Sequence, residues 1–283
     1  MRVLVAGSGG QLGRALAATA PAGVTLIAPP ETEFDIANPD VVARVVADAK
    51  ADLLVNAAAW TAVDKAEAEE DAALRINATA VRYLATEAAK AGTRFVQIST
   101  DYVFDGCGHS PYAPDTAPAP ASAYGRTKLA GEQAAQAHHP AALIIRTAWV
   151  YAAAGNNFVR TMLRLMAERD EVRVVADQIG TPTHAASLAR AIWALDGHAG
   201  LFHWTDAGVA SWYDFAVAIQ EEGLRLGLLN RQVPVLPIAT SDYPTPAQRP
   251  AYSVLDKTSS TAITGPARHW RTELVDCLRE MIP

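Results

Sequence analysis

Tyr124 and Lys128 stand four residues apart in the segment Tyr124-Gly125-Arg126-Thr127-Lys128. On a helix that spacing puts both side chains on one face. A phenol with a pKa of about 10 is a poor acid or base at neutral pH. A neighbouring ammonium stabilises the phenolate and brings the group into range. Upstream, Ser99-Thr100-Asp101-Tyr102 follows the apolar run that starts at Phe95. A hydroxyl at that point can donate a hydrogen bond to a carbonyl being reduced. Strand-end Ser and Thr are also ordinary turn formers. The chemical reading rests on their occurring in one chain with the Tyr/Lys pair and with a third segment, Gly7-Ser8-Gly9-Gly10-Gln11-Leu12-Gly13.

The glycines at 7, 10 and 13 follow the first apolar run directly and open a helical stretch. In that context Gly7 permits a tight turn, Gly10 lets backbone approach a pyrophosphate, and Gly13 lets helix and strand pack closely. The helix N-terminus adds free N–H groups and the positive end of its dipole. Glycine-rich turns also occur as plain connections, but the position between the first strand and a helix predicts a dinucleotide site. An acidic residue about 20 positions further on usually takes the adenosine ribose, and Glu31 and Asp35 both qualify. No basic residue falls between Arg14 and Arg44, which favours NAD over NADP, although Arg14 lies close enough to the turn to serve a phosphate. Cofactor preference stays open on these residues.

These groups need a scaffold, and the first half of the chain supplies a regular one. Apolar β-type runs at 3–6, 24–28, 53–56, 95–99 and 143–146 alternate with helical stretches at 12–20, 39–49, 71–91 and 122–137. Asn38-Pro39 predicts a helix start, with Asn38 as cap and Pro39 at the first helical position. Near-continuous apolar strands between helices predict an α/β fold, a doubly wound parallel sheet covered on both faces. Helices are expected at 158–167, 185–195 and 212–222, a further strand near 201–204, and a proline-rich loop over 234–250. The expected division is a dinucleotide-binding domain over 1–150 with a returning segment at about 184–206. A smaller substrate-binding cap would take 151–183 and 207–283, enclosing the carboxyl ends of the strands where ligands of such sheets sit.

Composition excludes several alternatives. The 283 residues are 50% hydrophobic and 19% charged with a net charge of -6, so no basic footprint for nucleic acid or an anionic membrane is present. Two cysteines, Cys107 and Cys277, lie far apart without metal-ligand spacing, against a disulfide scaffold or a structural zinc site. No apolar run reaches the length of a membrane span, and no signal peptide fits before Gly7. A cytoplasmic location is expected. The acidic run Glu67, Glu69, Glu70, Asp71 reads as a solvated helix face rather than a metal site. His138-His139 reads as a structural helix end.

The segments GSGGQLG (7–13), NAAAWTAVDKAE (56–67), STDYVFDG (99–106), YGRTKLAGE (124–132), RTAWVY (146–151), NNFV (156–159) and DQIGTPT (177–183) together resemble the extended short-chain dehydrogenases/reductases. Within them they are most similar to the dTDP-4-dehydrorhamnose reductase family, and RPAYSVLD (249–256) extends the likeness toward the C-terminus. The resemblance implies a Rossmann-like fold and reduction of the C4 keto group of a dTDP-linked 4-keto-6-deoxysugar. The implied cofactor is NADPH, with NADH as the alternative. Catalytic roles would fall on Thr100, Tyr124 and Lys128: Tyr124 gives its proton to the carbonyl oxygen, Lys128 holds the nicotinamide ribose and lowers the Tyr124 pKa, and Thr100 bonds the same oxygen. Asp101, Tyr102 and Trp149 would line the sugar pocket. For Trp149 a core position, and for Asp101 a turn-capping role, are the alternatives. Cofactor contacts would come from Gly7, Gly10, Gln11, Leu12, Gly13, Asp35, Ile36, Ala57, Ala58, Ala59 and Thr61, together with Tyr124 and Lys128.

One departure bears on assembly. Some members of the family dimerise through magnesium held by glutamates, one of them two residues after the last glycine of the turn. Here that position is Ala15, and the stretch after GTPT reads His184-Ala185-Ala186. No bridging metal is therefore expected, and a monomer is favoured over a dimer. Arg249 carries a charge suited to a nucleotide phosphate. Two other functions share much of this pattern: a ketoreductase for another sugar nucleotide, and a non-catalytic dinucleotide-binding regulatory subunit. The intact Thr100, Tyr124 and Lys128 argue against the second.

Overall fold

The computed structural model describes residues 1–282. In chain order the elements are β1 (Arg2–Ala6), α1 (Gln11–Ala18), β2 (Thr25–Ile27), α2 (Pro39–Ala49), β3 (Leu53–Asn56), α3 (Val63–Ala68), α4 (Glu70–Leu74) and α5 (Ala80–Lys90). There follow β4 (Arg94–Thr100), α6 (Ala123–His138), β5 (Leu143–Thr147), β6 (Val150–Tyr151), α7 (Phe158–Glu168), β7 (Val172–Val175), β8 (Ile179–Gly180), β9 (Thr183–His184) and α8 (Ala185–Ala194). The last are β10 (Gly200–His203), β11 (Ala210–Ser211), α9 (Trp212–Arg225), β12 (Val235–Ile238), α10 (Thr258–Thr264) and α11 (Trp270–Arg279).

Six strands form one parallel sheet in the order β10-β5-β4-β3-β1-β2. β3 and β5 are buried along their whole length, and β1 along all but its first residue, which is why they read as unbroken apolar runs. Side chains alternate between faces. Leu4, Leu54, Phe95 and Ile144 pack under α2, α5 and α6, whereas Val3, Val5, Val55 and Ile145 pack under α1 and α8. Residues from α7, α9 and α11, among them Met162, Phe215, Ile219 and Leu274, form a separate apolar cluster beyond the strand ends. Asn38 caps α2 by accepting from the amides of Asp40 and Val41, with Pro39 at the first position. No helix among the described residues is long and apolar enough to cross a membrane.

Two expectations change. The stretch 234–250 is not wholly a loop: β12 pairs in parallel with β7, Val235 opposite Val172 through Ile238 opposite Val175. Proline masks the strand pattern, yet β12 has a single neighbour, so Pro237 faces a side that needs no amide donor. The stretch 71–91 is not one α-helix. α4 passes through a π turn at Arg75–Thr79 before α5, and such a turn leaves no signature in hydrophobic periodicity.

Candidate active site

The sheet order reverses between β1 and β3, and ligands of doubly wound sheets bind beyond the strand ends at such a point. A cleft of about 2180 Å³ opens there. A single drug-sized ligand needs roughly 300–1,000 Å³, so the space suits two molecules side by side. Its wall runs from Gly7, Gly10, Gln11 and Leu12 past Asp35 and Ile36, then Ala57, Ala58, Ala59 and Thr61. It continues over Thr100, Asp101, Tyr102, Tyr124 and Lys128 to Trp149 and Arg249. The structure thus brings every residue given a catalytic, cofactor or sugar role by the resemblance to one cleft except Gly13, which lies beneath it.

The glycine turn fits a pyrophosphate. Gly7 has φ +76°, and a Cβ there would stand 2.6 Å from the Ala58 amide nitrogen, so only glycine lets the two loops at the reversal meet. A Cβ on Gly13 would drive into Gly7 O and the Ser8 backbone. Gly10 is the N-cap of α1 and no side chain caps the helix, leaving its first amides open to an anion. Further along, Ser99 Oγ and Thr147 Oγ1 are buried with no hydrogen-bond partner among the described residues, and both residues line the cleft. Buried hydroxyls left open at strand ends suit the polar edge of a bound ring. Asp35 Oδ1 accepts from the Ala37 amide at 2.9 Å, and its residue is exposed. Arg14 is exposed and lines the adenosine end with Pro29, Pro30 and Glu31.

The helix carrying Tyr124 and Lys128 is held from three directions. Ser122 caps it by accepting from the Gly125 amide at 3.2 Å. Glu67 Oε1 accepts from the Ala123 amide at 2.8 Å, and Glu70 takes Arg126 through two bonds, at 2.9 and 2.7 Å. The acidic run is therefore more than a solvated face: two of its members clamp the first turn of α6, where carboxylates also complement the helix dipole. No metal-holding group of His, Cys, Asp or Glu occurs among the described residues. The π turn supplies the third hold. Buried Asn77 accepts from Trp60 N at 2.9 Å and donates to Thr127 Oγ1 at 3.1 Å, while Gly131 lets α6 press on the Asn77 carbonyl. Sequence reasoning missed Asn77, because its role depends on a turn that α periodicity does not reveal.

Within this frame Thr100 Oγ1 donates to Asp101 Oδ1 at 2.8 Å and accepts from Tyr102 N at 3.3 Å, and Thr100 and Tyr124 share the cleft wall. Thr100, not Asp101, caps the short turn 101–103. Burial holds the Tyr124 phenol well above its ordinary range, the opposite of the lowering by Lys128 that the resemblance implies, because desolvation outweighs the nearby charge. Burial likewise pushes the Lys128 ammonium down to about 8, against the pull of Glu132. Lys128 Nζ donates to Ile98 O at 2.6 Å, and Asp101 is raised to about 6 by burial. Tyr102 meets Tyr124 edge-on at 5.4 Å.

Trp149 combines the two readings given to it. It lines the cleft and also stacks on Trp212, with centroids 3.5 Å apart and planes at 7°. Its φ of +50° is rare for a bulky residue, and Gly180 leaves space for the indole. Two ties that sequence reasoning missed join the outer cluster to the sheet. Asn157 Nδ2 donates to Gln11 Oε1 at 2.9 Å. Arg249 Nη2 donates to Asp64 Oδ2 at 2.6 Å and Nη1 to Tyr102 OH at 3.3 Å. His139, just past α6, bonds Thr93 O through Nε2 at 3.0 Å, a structural role. Both cysteines are free, Cys107 exposed and Cys277 buried.

Fold and cleft together define a dinucleotide-dependent oxidoreductase of the doubly wound α/β class. More narrowly, the chain belongs to the RmlD substrate binding domain family, whose model matches residues 1–282. It is 44% identical over 268 residues to a dTDP-4-dehydrorhamnose reductase of Escherichia coli, covering 90% of this chain and 89% of that one. Among solved structures it is similar to a dTDP-4-dehydrorhamnose reductase from Clostridium acetobutylicum, with a TM-score of 0.93, 40% identity and 99% of each chain covered. A dTDP-4-dehydrorhamnose reductase of Bacillus anthracis in complex with NADP aligns with a TM-score of 0.91 and 36% identity, again over 99% of both chains.

Proposed function

We propose that the protein reduces the C4 keto group of dTDP-4-dehydro-L-rhamnose to give dTDP-L-rhamnose, using NADPH. The observation that carries this is the meeting of Thr100, Tyr124 and Lys128 at the strand ends beside the glycine turn, in a chain whose relatives bear that name. The bound reduced nicotinamide supplies the hydride. Tyr124 supplies the proton to the C4 oxygen; burial keeps its phenol protonated but makes it a weaker acid, so the transfer depends on the Lys128 ammonium. Thr100 donates a hydrogen bond to that oxygen as charge develops on it. Lys128 holds the nicotinamide ribose and offsets the phenolate left behind. The glycine turn and α1 hold the pyrophosphate, Asp35 and Ile36 the adenosine, and Arg14 the 2′-phosphate that distinguishes NADPH. The outer apolar cluster, 151–183 and 207–282, acts as the substrate cap, with Asp101, Tyr102 and Trp149 facing the sugar.

The direct test is consumption of NADPH and of NADH, separately, by the purified protein with dTDP-4-dehydro-L-rhamnose. Turnover faster with NADPH is expected. Tight NADPH binding without turnover would redirect the assignment to another 4-keto-6-deoxysugar nucleotide, and then to a regulatory role.

Arg249 has its charge on the substrate side of the cleft, and we assign it to the diphosphate, exchanging Asp64 for the ligand. Arg249→Ala is expected to weaken dTDP affinity by about tenfold, the scale of one lost charge-assisted hydrogen bond. Unchanged affinity in calorimetry removes Arg249 from the site. The protein acts in the cytoplasm, and as a monomer, the latter because Ala15 and the stretch His184-Ala185-Ala186 offer no carboxylate for a bridging metal. A dimer mass in light scattering that falls on adding chelator contradicts this.

A further inference from the structure

Gln11 is the first residue of α1, directly after Gly10, so its backbone amide belongs to the open set that faces an anion. Its side chain reaches the outer cluster. Gln11 Oε1 accepts from Asn157 Nδ2 at 2.9 Å, across 146 positions. A Cβ on Gly155, whose φ is +87°, would stand 3.2 Å from Gln11 Cγ, so the loop before α7 lies directly on that side chain. The far end of the contact is fixed as well. Asn157 Nδ2 also donates to Ala152 O at 2.8 Å, and Asn157 Oδ1 accepts from the Arg160 amide at 3.2 Å, capping α7. Arg160 Nη1 donates to Ala153 O at 2.9 Å. Loop and first helical turn are thereby held as one unit. From there packing leads to the sugar side. Phe158 meets Trp212 with centroids 4.7 Å apart, and Trp212 stacks on Trp149 at 3.5 Å. All three line the cleft, and the stack holds Trp149 at its φ of +50°. The path from pyrophosphate turn to sugar wall thus runs through Gln11, Asn157, Phe158, Trp212 and Trp149 without a gap.

We infer that Asn157 is a positioning residue that makes sugar-nucleotide binding depend on the bound dinucleotide. This rests on the reductase reading above. A pyrophosphate seated on the α1 amides fixes Gln11, and through it Asn157, the loop 152–157 and the first turn of α7. The sugar nucleotide then meets a wall that is already ordered and loses less entropy on binding. By reciprocity the sugar nucleotide strengthens dinucleotide binding by the same factor. In a reaction between two bound molecules, this keeps the keto sugar from settling where no hydride donor is present. Gln11 thus serves two ligands at once, with its backbone toward the dinucleotide and its side chain toward the cap.

The test measures dTDP-L-rhamnose affinity by calorimetry on the purified protein, without NADPH and with NADPH at saturation. Sugar and cofactor are both already reduced in this pair, so no hydride passes between them. The unaltered protein is expected to bind the sugar nucleotide about three- to tenfold more tightly with NADPH present, the scale of one hydrogen bond between neutral groups. Asn157→Ser keeps a capping hydroxyl for α7 but is too short to reach Gln11. It is expected to bring the two affinities within about 1.5-fold of each other. Gln11→Met removes the acceptor from the other side while leaving the α1 amides in place, and is expected to abolish the coupling in the same way. This keeps the question answerable if Asn157→Ser does not fold. Coupling retained in either folded variant overturns the inference, and so does its absence from the unaltered protein. Equal weakening with and without NADPH makes Asn157 a plain structural cap and overturns it as well. No binding of dTDP-L-rhamnose by the unaltered protein in either state takes down the reductase reading itself.

Discussion

Tyr124→Phe is expected to leave NADPH binding within about twofold and to lower kcat by about 10²–10⁴-fold, the range for loss of a positioned general acid. The phenol ring meets Tyr102 edge-on at 5.4 Å, and phenylalanine preserves that contact. What disappears is the phenolic hydroxyl of a residue on the cleft wall. Lys128 Nζ is tied to Ile98 O, and the Thr100 hydroxyl is a far weaker acid than a phenol. Neither takes over proton donation at comparable rate. Fluorescence titration with NADPH and initial-rate measurements separate the two effects. A kcat within tenfold of the unaltered protein would sink the assignment of Tyr124 as proton donor.

The second large effect concerns stability. Arg146 on β5 and Glu132 on α6 form a bidentate pair, with bonds of 2.8 and 2.7 Å and side chains only 3% and 6% exposed. The guanidinium also lies 4.9 Å from the Phe104 ring and donates to Pro114 O. It thereby joins the strand, the catalytic helix and the segment after Thr100. Removing one partner leaves a buried charge uncompensated, which costs about 3–5 kcal/mol, whereas replacing both with apolar groups of similar volume is often near neutral. Glu132→Leu is therefore expected to lower Tm by roughly 6–20 °C, at about 2–4 °C per kcal/mol for a chain of this size. The double change Glu132→Leu with Arg146→Met is expected to recover most of that loss. A single variant melting within a degree of the unaltered protein would show that water or a rearranged partner satisfies Arg146.

Much of the fold and the centre of the site were legible because their signals are local. Strands buried on both faces must be apolar throughout, so β1, β3 and β5 announce themselves as runs. Asn38-Pro39 states a helix start through the chemistry of its own cap. Gly7 and Gly13 stand where a side chain would collide with backbone, and the four-residue step from Tyr124 to Lys128 carries its own geometry. The resemblance rested on the same short segments. Other features depend on groups distant in sequence. Glu67 acts on the Ala123 amide from 56 positions away, Arg249 meets Asp64 across 185, and Asn157 meets Gln11 across 146. No local pattern encodes such meetings; the packing of the two apolar clusters around the strand ends creates them. The π turn that aims Asn77 was hidden for the same reason, since its geometry answers to α6 rather than to its own residues. The sequence by itself thus determined the residue types able to hold a dinucleotide and move a proton, because tight turns and helical spacing are properties of neighbouring residues. Only the tertiary structure decided in which direction Asp101, Tyr124 and Lys128 are shifted and which distant groups hold them in place, because burial and through-space hydrogen bonding exist only once the chain has closed around the cleft.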